Sequence, residues 1–329
     1  MKKLMMLAIG LAMVVGLVTS IPAAVAGSKD ELEASKDPAS CNGLVFGTGQ
    51  KGKGFSKLFS NIDQVCGNVV EMCELRTSGA VDNLTSMSTN AADIGLTDIV
   101  SFLNMQGDEN IRDLQAVLSL NHNFLHVLAN SEGYTVTTKK WGVMKDTTQE
   151  YVKSFTDLRG KTIALVGSAG LIGRKLNDMM GMGMTFVDAK DDAEAQAMLK
   201  KFQVQGVFTM SGWPSGVVDK LTANDKITLV PFNATVAAPF VVKPINYRNL
   251  GVYNAPAVAV PNVILTRPFK AGGEKAMMVS KLSNCLKSKI SALQEGRFEA
   301  AWKEVKDVEN VQGLTKFAAS REVKTAAKK

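Results

Sequence analysis

Short apolar runs alternate with amphipathic stretches along most of this chain, and the alternation sets the expected elements. Gly43 to Phe46, Val69 to Leu75, Ile94 to Leu96 and Leu114 to Leu120 read as strands, with helices over Phe55 to Val65 and Ala80 to Ala91 between them. Phe124 to Asn130 is extended and apolar and reads as a crossing, because the rhythm restarts after it. Thr135 to Asp157 reads as an irregular segment with a helical turn around Thr148 to Ser154. Strands follow at Lys161 to Val166, Phe186 to Asp188, Val207 to Met210 and Ile227 to Val230, with helices over Leu171 to Met180, Asp192 to Phe202 and Pro214 to Leu221. Ala255 to Thr266 is apolar and extended, but Pro256 and Pro261 each remove a ladder donor, which suits an exposed return crossing better than a central strand. Glu274 to Leu293 carries Met277, Met278, Leu282, Leu286, Ile290 and Leu293 near helical spacing, and Phe298 to Val305 reads as a further helix.

This βαβ rhythm predicts an α/β protein. With 329 residues and 46% apolar content, the chain can build two cores. Two crossings would join two lobes, each a βαβ sheet flanked by helices, with a ligand cleft between them. The expected division is 27–130 plus 259–329 for the first lobe and 131–258 for the second. Residues 1–26 form a different pattern: Lys2-Lys3, an apolar run of about a dozen residues, then Ala24-Val25-Ala26, the three-part signature of a cleavable secretory signal peptide. The formal charge of +7 falls to +5 once Lys2 and Lys3 are removed. Much of the excess lies in the tail at Arg321, Lys324, Lys328 and Lys329, with no basic stripe interleaved with aromatics to suggest nucleic acid. A soluble, monomeric, exported protein is expected. Export to an oxidising compartment lets Cys41, Cys66, Cys73 and Cys285 form disulfides, and Cys41 with Cys66 is the expected pair.

The candidate chemistry centres on the turn Gly47 to Ser56, where four glycines in eight residues let backbone amides face a bound group. Gly47-x-Gly49-x-x-Gly52 between strand and helix, with Glu71 on the next strand, fits a dinucleotide fingerprint, so an NAD-dependent oxidoreductase is a remote alternative. Gly47-x4-Gly52-Lys53 is followed by Gly54 where a phosphate loop needs Ser or Thr for magnesium. No G-x-S-x-G is present, and His122 and His126 are the only histidines, so neither serine hydrolysis nor a metal site is supported. What remains is a set of polar, chemically quiet turns at the expected C-terminal ends of strands, where open α/β sheets bind ligands. Thr48, Gln50, Lys51, Lys53 and Phe55 lie on the first, Ser78 and Asn83 on the second, Thr97 and Asp98 on the third, Ser168 on the fourth, and Ser211 and Trp213 on the fifth. Helix N-termini behind several of these turns favour an anionic group.

Gly47-Thr48-Gly49, Thr77-Ser78-Gly79-Ala80-Val81-Asp82-Asn83, Ala92-Asp93-Ile94-Gly95-Leu96 and Leu125-His126-Val127-Leu128 resemble the TAXI receptors, the immunogenic-protein branch of TRAP transporter solute-binding proteins. The likeness continues through Asp157 to Ala164, Gly167-Ser168-Ala169-Gly170, Gly212-Trp213-Pro214 and Ala257 to Thr266, in order along nearly the whole mature chain. It implies a type II periplasmic binding protein: two lobes, hinge closure on a small solute, often a carboxylate, and delivery to a TRAP-type permease, with no cofactor and no catalysis. The chain departs from the family at Gly52-Lys53-Gly54-Phe55-Ser56, where the resemblance implies a Gly-Gly-x-Tyr-Tyr stretch. The tyrosine hydroxyls are lost and cations added. An accessory binding protein for a lipid-like ligand or a partner protein is the alternative, and an unusually apolar cleft would favour it.

Overall fold

A computed structural model describes residues 38–140, 144–306 and 314–318. The expected signal peptide and the basic tail from Arg321 lie outside these residues. All the described residues belong to one compact unit, Ser35–Lys329.

In chain order the elements are β1 (Leu44–Gly47), α1 (Gly54–Cys66), β2 (Met72–Leu75), α2 (Ala80–Ser88), β3 (Ile94–Asp98), α3 (Ile99–Met105), α4 (Glu109–Arg112) and β4 (Gln115–Asn130). There follow β5 (Tyr134–Lys140), β6 (Met144–Glu150), β7 (Thr162–Val166), α5 (Ala169–Met180), β8 (Thr185–Ala189), α6 (Asp192–Lys200) and β9 (Gly206–Ser211). The chain ends with β10 (Ile227–Leu229), β11 (Val241–Tyr247), β12 (Val252–Thr266) and α7 (Glu274–Leu293).

The main sheet runs β2-β1-β3-β12-β4-β9-β7-β8, with β10 on β4 and β11 on β12. This order reads the same from both ends. In each half a parallel trio places its first strand in the middle, β2-β1-β3 at one end and β8-β7-β9 at the other. The two trios form the two lobes of a mixed α/β protein, and the long antiparallel strands β4 and β12 run through both. Helices cover the trios because parallel strands bury both faces. Leu58, Phe59, Ile62 and Cys66 of α1 join Val279, Leu282, Cys285 and Leu286 of α7 in the core of the first lobe. Ala195 and Leu199 of α6 pack with Ala164, Val207 and Leu128 in the second. A third cluster takes residues from both, including Leu84 of α2, Val100 and Phe102 of α3, Ile172 of α5, Phe208 of β9 and Phe240.

Several elements differ from the sequence expectation. Thr135 to Asp157 is not irregular: β5 and β6 form an antiparallel hairpin with Tyr134 opposite Glu150 and Val136 opposite Thr148, as the β-branched residues on both arms favour. Its end is a 3-10 turn, Phe155–Leu158, closed by a reciprocal Ser154–Asp157 capping box. No helix forms over Pro214 to Leu221, whose carbonyls at Val218 and Leu221 accept instead from the Asn249 side chain. Phe298 to Val305 is only a 3-10 turn, Ala300–Glu304. The largest change is Ala255 to Thr266, which is a buried central strand and not an exposed connector. Its prolines are tolerated because Pro261 sits at a break in the register with β4 and Pro256 lies opposite Pro244 of the outer strand β11.

The expected Cys41–Cys66 pair is also corrected. Cys41 bonds Cys73 and Cys66 bonds Cys285, both with Cα atoms 6.0 Å apart. Cys41 lies just before β1 and Cys73 on the adjacent β2, whereas Cys66 closes α1 and faces α7 in the core. Two intact disulfides fit an extracytoplasmic setting.

Candidate functional site

The Gly47 to Gly54 turn is held from beneath by Glu74, a buried carboxylate at the end of β2. One oxygen accepts from Thr48 Oγ1 at 2.9 Å and Ser56 Oγ at 2.8 Å, and the other from Arg76 Nε at 3.0 Å. Beside it the fully buried Asn83 donates to the carbonyls of Thr48 and, at 2.6 Å, Leu96, while its Oδ1 accepts from Thr77 Oγ1 at 2.7 Å. Gly47 permits this approach, since a Cβ there would lie 2.9 Å from Asn83 Oδ1, and Gly52 turns the chain at φ +73°. Thr48 and Asn83 therefore face inward as struts. Gln50, Lys51 and Lys53 stand exposed on the outside of the turn, and Phe55 packs against the first lobe's core.

On the neighbouring turns, exposed Ser78 donates to Asp82, and Thr97 Oγ1 donates to the Ala80 carbonyl at 3.3 Å. Asp98 caps α3, accepting from Ser101 N at 2.8 Å and Ser101 Oγ at 2.7 Å. Burial nevertheless raises its pKa, because the charged form loses water and the Ser101 bonds only partly replace it.

In the second lobe, Gly167 at φ +54° ends β7, and exposed Ser168 precedes α5 without its side chain capping the helix. The turn after β9 is pinned by a chain of buried groups. Ser215 N–H donates to Tyr247 Oη at 2.7 Å, Tyr247 Oη lies 2.7 Å from His126 Nε2, and His126 Nδ1 lies 3.4 Å from Ser211 Oγ. Desolvation lowers the His126 pKa to about 4 and raises that of Tyr247. Trp213 Nε1 donates to the Asn246 carbonyl at 3.2 Å, and its ring packs on the second lobe's core.

Strand register brings these turns together. β12 is antiparallel to both β3 and β4, and β4 is antiparallel to β9, so β3 and β9 run in opposite directions. Asp98, the last residue of β3, lies opposite Asn262. Ser211, the last of β9, lies opposite Phe124, which lies opposite Ala259. The C-terminal ends of the two trios thus meet within three residues of β12, about 10 Å along the strand. Thr97, Asp98, Ser211 and the turn to Trp213 converge there. The turns after β1 and β7 stand at the same strand ends one position further out in each trio.

The meeting point is polar. Asn121 of β4 and Asn262 of β12 are both buried, and Asn262 Nδ2 donates to Asn121 Oδ1 at 3.2 Å. A Cβ on Gly212 would come 3.6 Å from Asn121 Nδ2, so the β9 turn lies directly over this pair. Next along β4, His122 Nδ1 is 3.1 Å from Lys243 Nζ of β11 and 3.7 Å from Glu304 Oε2. Burial lowers the Lys243 pKa, partly offset by the Glu304 carboxylate. Asn121, Asn262, Glu74 and Tyr247 are absent from the sequence-derived set. The two asparagines had a readable signal, as polar interruptions in the long apolar runs Leu114 to Asn130 and Ala255 to Thr266.

Among helices of eight residues or more in the described residues, only α1 and α5 start with neither a side-chain cap nor an acidic residue in the first turn. They follow β1 and β7, the topologically matched middle strands. Among the described residues no group of His, Cys, Asp and Glu could hold a metal ion, and no helix is long and apolar enough to cross a membrane.

No protein-family model matches the chain, and no curated relative does so either. Solved structures similar to it include the substrate binding protein of an amino acid ABC transporter, 10% identical over 80% of this chain and 96% of that one, at a TM-score of 0.41. The GluR0 ligand-binding core from Nostoc punctiforme in complex with glutamate is 13% identical over 76% of this chain and 97% of its own, at 0.43. A periplasmic binding protein from Brucella ovis with glutathione bound is 13% identical over 77% and 73%, at 0.42.

Proposed function

We propose that this chain is an exported solute-binding protein of the TAXI type, which captures a small organic acid between its lobes in the periplasm and passes it to a TRAP-type permease. The observation that carries the reading is the meeting of two sets of C-terminal strand ends over the middle of β4 and β12, one from each trio. Open α/β sheets bind ligands at such ends, where the strand order reverses. The lobes are taken as 27–130 plus 259–329 and 131–258, closing about the crossing strands, with contacts from both sides favouring the closed form.

The starts of α1 and α5 carry neither a side-chain cap nor an acidic first-turn residue and offer positive dipole ends in each lobe, with Gly170 N–H of α5 already bonded to the Gly167 carbonyl. Lys51 and Lys53, exposed on the first turn, add charge and attract an anion. Ser168 and Ser211 supply hydroxyls from the second lobe, and Trp213 borders an apolar part of the solute. Gln50, Phe55, Ser78 and Thr97 flank the same ends, while Thr48, Asn83 and Asp98 set the geometry of the turns. Binding with no chemical step is the activity proposed, and no cofactor is needed for it.

The test is a thermal-shift screen of organic acids on the mature chain, followed by calorimetry on any acid that raises the transition. Lys51→Ala with Lys53→Ala should weaken a bound acid at least tenfold, about 1.4 kcal/mol. Unchanged affinity would remove both lysines from the site. A second reading, capture of a lipid-like molecule or a partner protein, has one observation in its favour. A groove of about 200 Å³ between α3 and α5 is lined by Val100, Leu103, Met179 and Phe240, with Leu103 and Met179 exposed. Binding of fatty acids in preference to short acids in the same screen would favour that reading.

A further inference from the structure

Where the two lobes' strand ends meet, one buried group is left without a partner. Asn262 is 1% exposed, and its Oδ1 accepts no hydrogen bond. The orientation of the amide is set by its neighbours. Asn121 Nδ2 donates to the His122 carbonyl at 3.1 Å, which turns Asn121 Oδ1 toward Asn262, and Asn262 must then present Nδ2 to it at 3.2 Å. Turning the Asn262 amide over would set two carbonyl oxygens against each other. The chain of donors therefore ends on Asn262 Oδ1 as an acceptor.

Among the described residues no group donates to it. The preceding residue, Pro261, has no amide hydrogen, and Asp98, its register partner on β3, has both carboxylate oxygens accepting from Ser101. Asn83 makes the contrast: equally buried, it has its oxygen and its nitrogen bonded within the first lobe. The other buried side-chain atom without a partner among the described residues is Glu304 Oε1, beside His122. Buried amide carbonyls are nearly always paired, and an unpaired one at a meeting of strand ends from two lobes marks a place for a donor from outside the chain.

We infer that Asn262 Oδ1 accepts a hydrogen bond from the captured solute, so that the site prefers organic acids carrying a hydroxyl or N–H donor over the same acids lacking it. This rests on the solute-binding reading and adds a determinant of selectivity to it. An acid without a donor leaves the acceptor desolvated and unpaired in the closed form, whereas a donor-bearing acid pairs it.

The experiment is calorimetry on the mature chain with two matched pairs, malate against succinate and lactate against propionate, repeated on Asn262→Leu. In the unaltered chain the hydroxy acid of at least one pair should bind about tenfold or more tightly than its partner. In Asn262→Leu, with far-UV circular dichroism showing the native spectrum, the ratio should fall to within about twofold, mainly by loss of affinity for the hydroxy acid. Equal affinities within both pairs in the unaltered chain would overturn the inference while leaving solute binding in place, since the acceptor would then be served by water. A preference that persists in folded Asn262→Leu would overturn it too. If none of the four acids binds but a donor-free acid from the wider screen does, the selectivity fails alone; if no acid binds at all, the solute-binding reading falls with it. Should Asn262→Leu fail to fold, the matched pairs on the unaltered chain still decide.

Discussion

Replacing Asn83 tests the claim that the Gly47 to Gly54 turn is held by an internal strut. Its side chain bonds three groups at once: the Thr48 carbonyl, the Leu96 carbonyl at 2.6 Å and the Thr77 hydroxyl at 2.7 Å. In Asn83→Ala the Thr77 hydroxyl can turn fully to the Thr48 carbonyl, already 3.0 Å away. The Leu96 carbonyl then has lost its side-chain donor, and a small void opens under Gly47. An orphaned buried acceptor costs about 1–3 kcal/mol, and the lost bond and void bring the expected total to about 2–4 kcal/mol. Asn83→Asp should be worse at pH 7 despite its matching shape, because a carboxylate oxygen then faces two carbonyl oxygens where an N–H₂ donated. Urea unfolding monitored by circular dichroism gives the answer as a fall in midpoint at constant slope. Asn83→Asp within about 0.5 kcal/mol of the unaltered chain would refute the reasoning.

The two disulfides should differ in worth. Cys66–Cys285 closes a sequence separation of 219 and Cys41–Cys73 one of 32, so chain entropy assigns about 5 and about 4 kcal/mol to them. Removing the first pair as alanines should therefore lower the unfolding free energy more than removing the second, and the reverse order would contradict the loop argument. His126 has its folded pKa lowered from 6.5 to about 4, so the unfolded chain binds the proton more readily between these values. Its contribution is complete above about pH 6.5 and is lost as pH falls toward 4, about 3 kcal/mol in all. Unfolding free energies at pH 7.5 and 4.5 should show this slope, and His126→Gln should flatten it; an unchanged slope would place the titration elsewhere.

Much of the frame was legible because hydrophobic period and turn chemistry agree along most of the chain. α7 begins and ends at the residues its Met and Leu stripe marked, and β1, β7 and β9 lie within a residue or two of their apolar runs. What was not legible depends on tertiary context. Pro256 and Pro261 argue locally against a central strand, yet a register break and a facing proline on β11 accommodate them. Within the 135–157 segment, β5 and β6 pair only with each other, so these two strands carry no buried apolar run to announce them. Cysteine pairing follows from which helix faces which, and α1 against α7 joins residues far apart in sequence. Sequence located the turns that follow the strand ends but not their anchoring. Thr48 and Asn83 look like ligand groups in a Gly-rich stretch and prove to be internal struts, while Asn121 and Asn262 become visible as a pair only once β4 and β12 are laid side by side.

The central claim is that one solute is held at once by turns from both lobes. Amide hydrogen exchange with and without a saturating organic acid tests it most directly, because exchange reports each turn separately. The account predicts slower exchange in both 47–54 and 167–170 when the acid binds, with the 211–215 turn protected alongside. Protection confined to one lobe by an acid that calorimetry shows to be bound would contradict capture between the lobes.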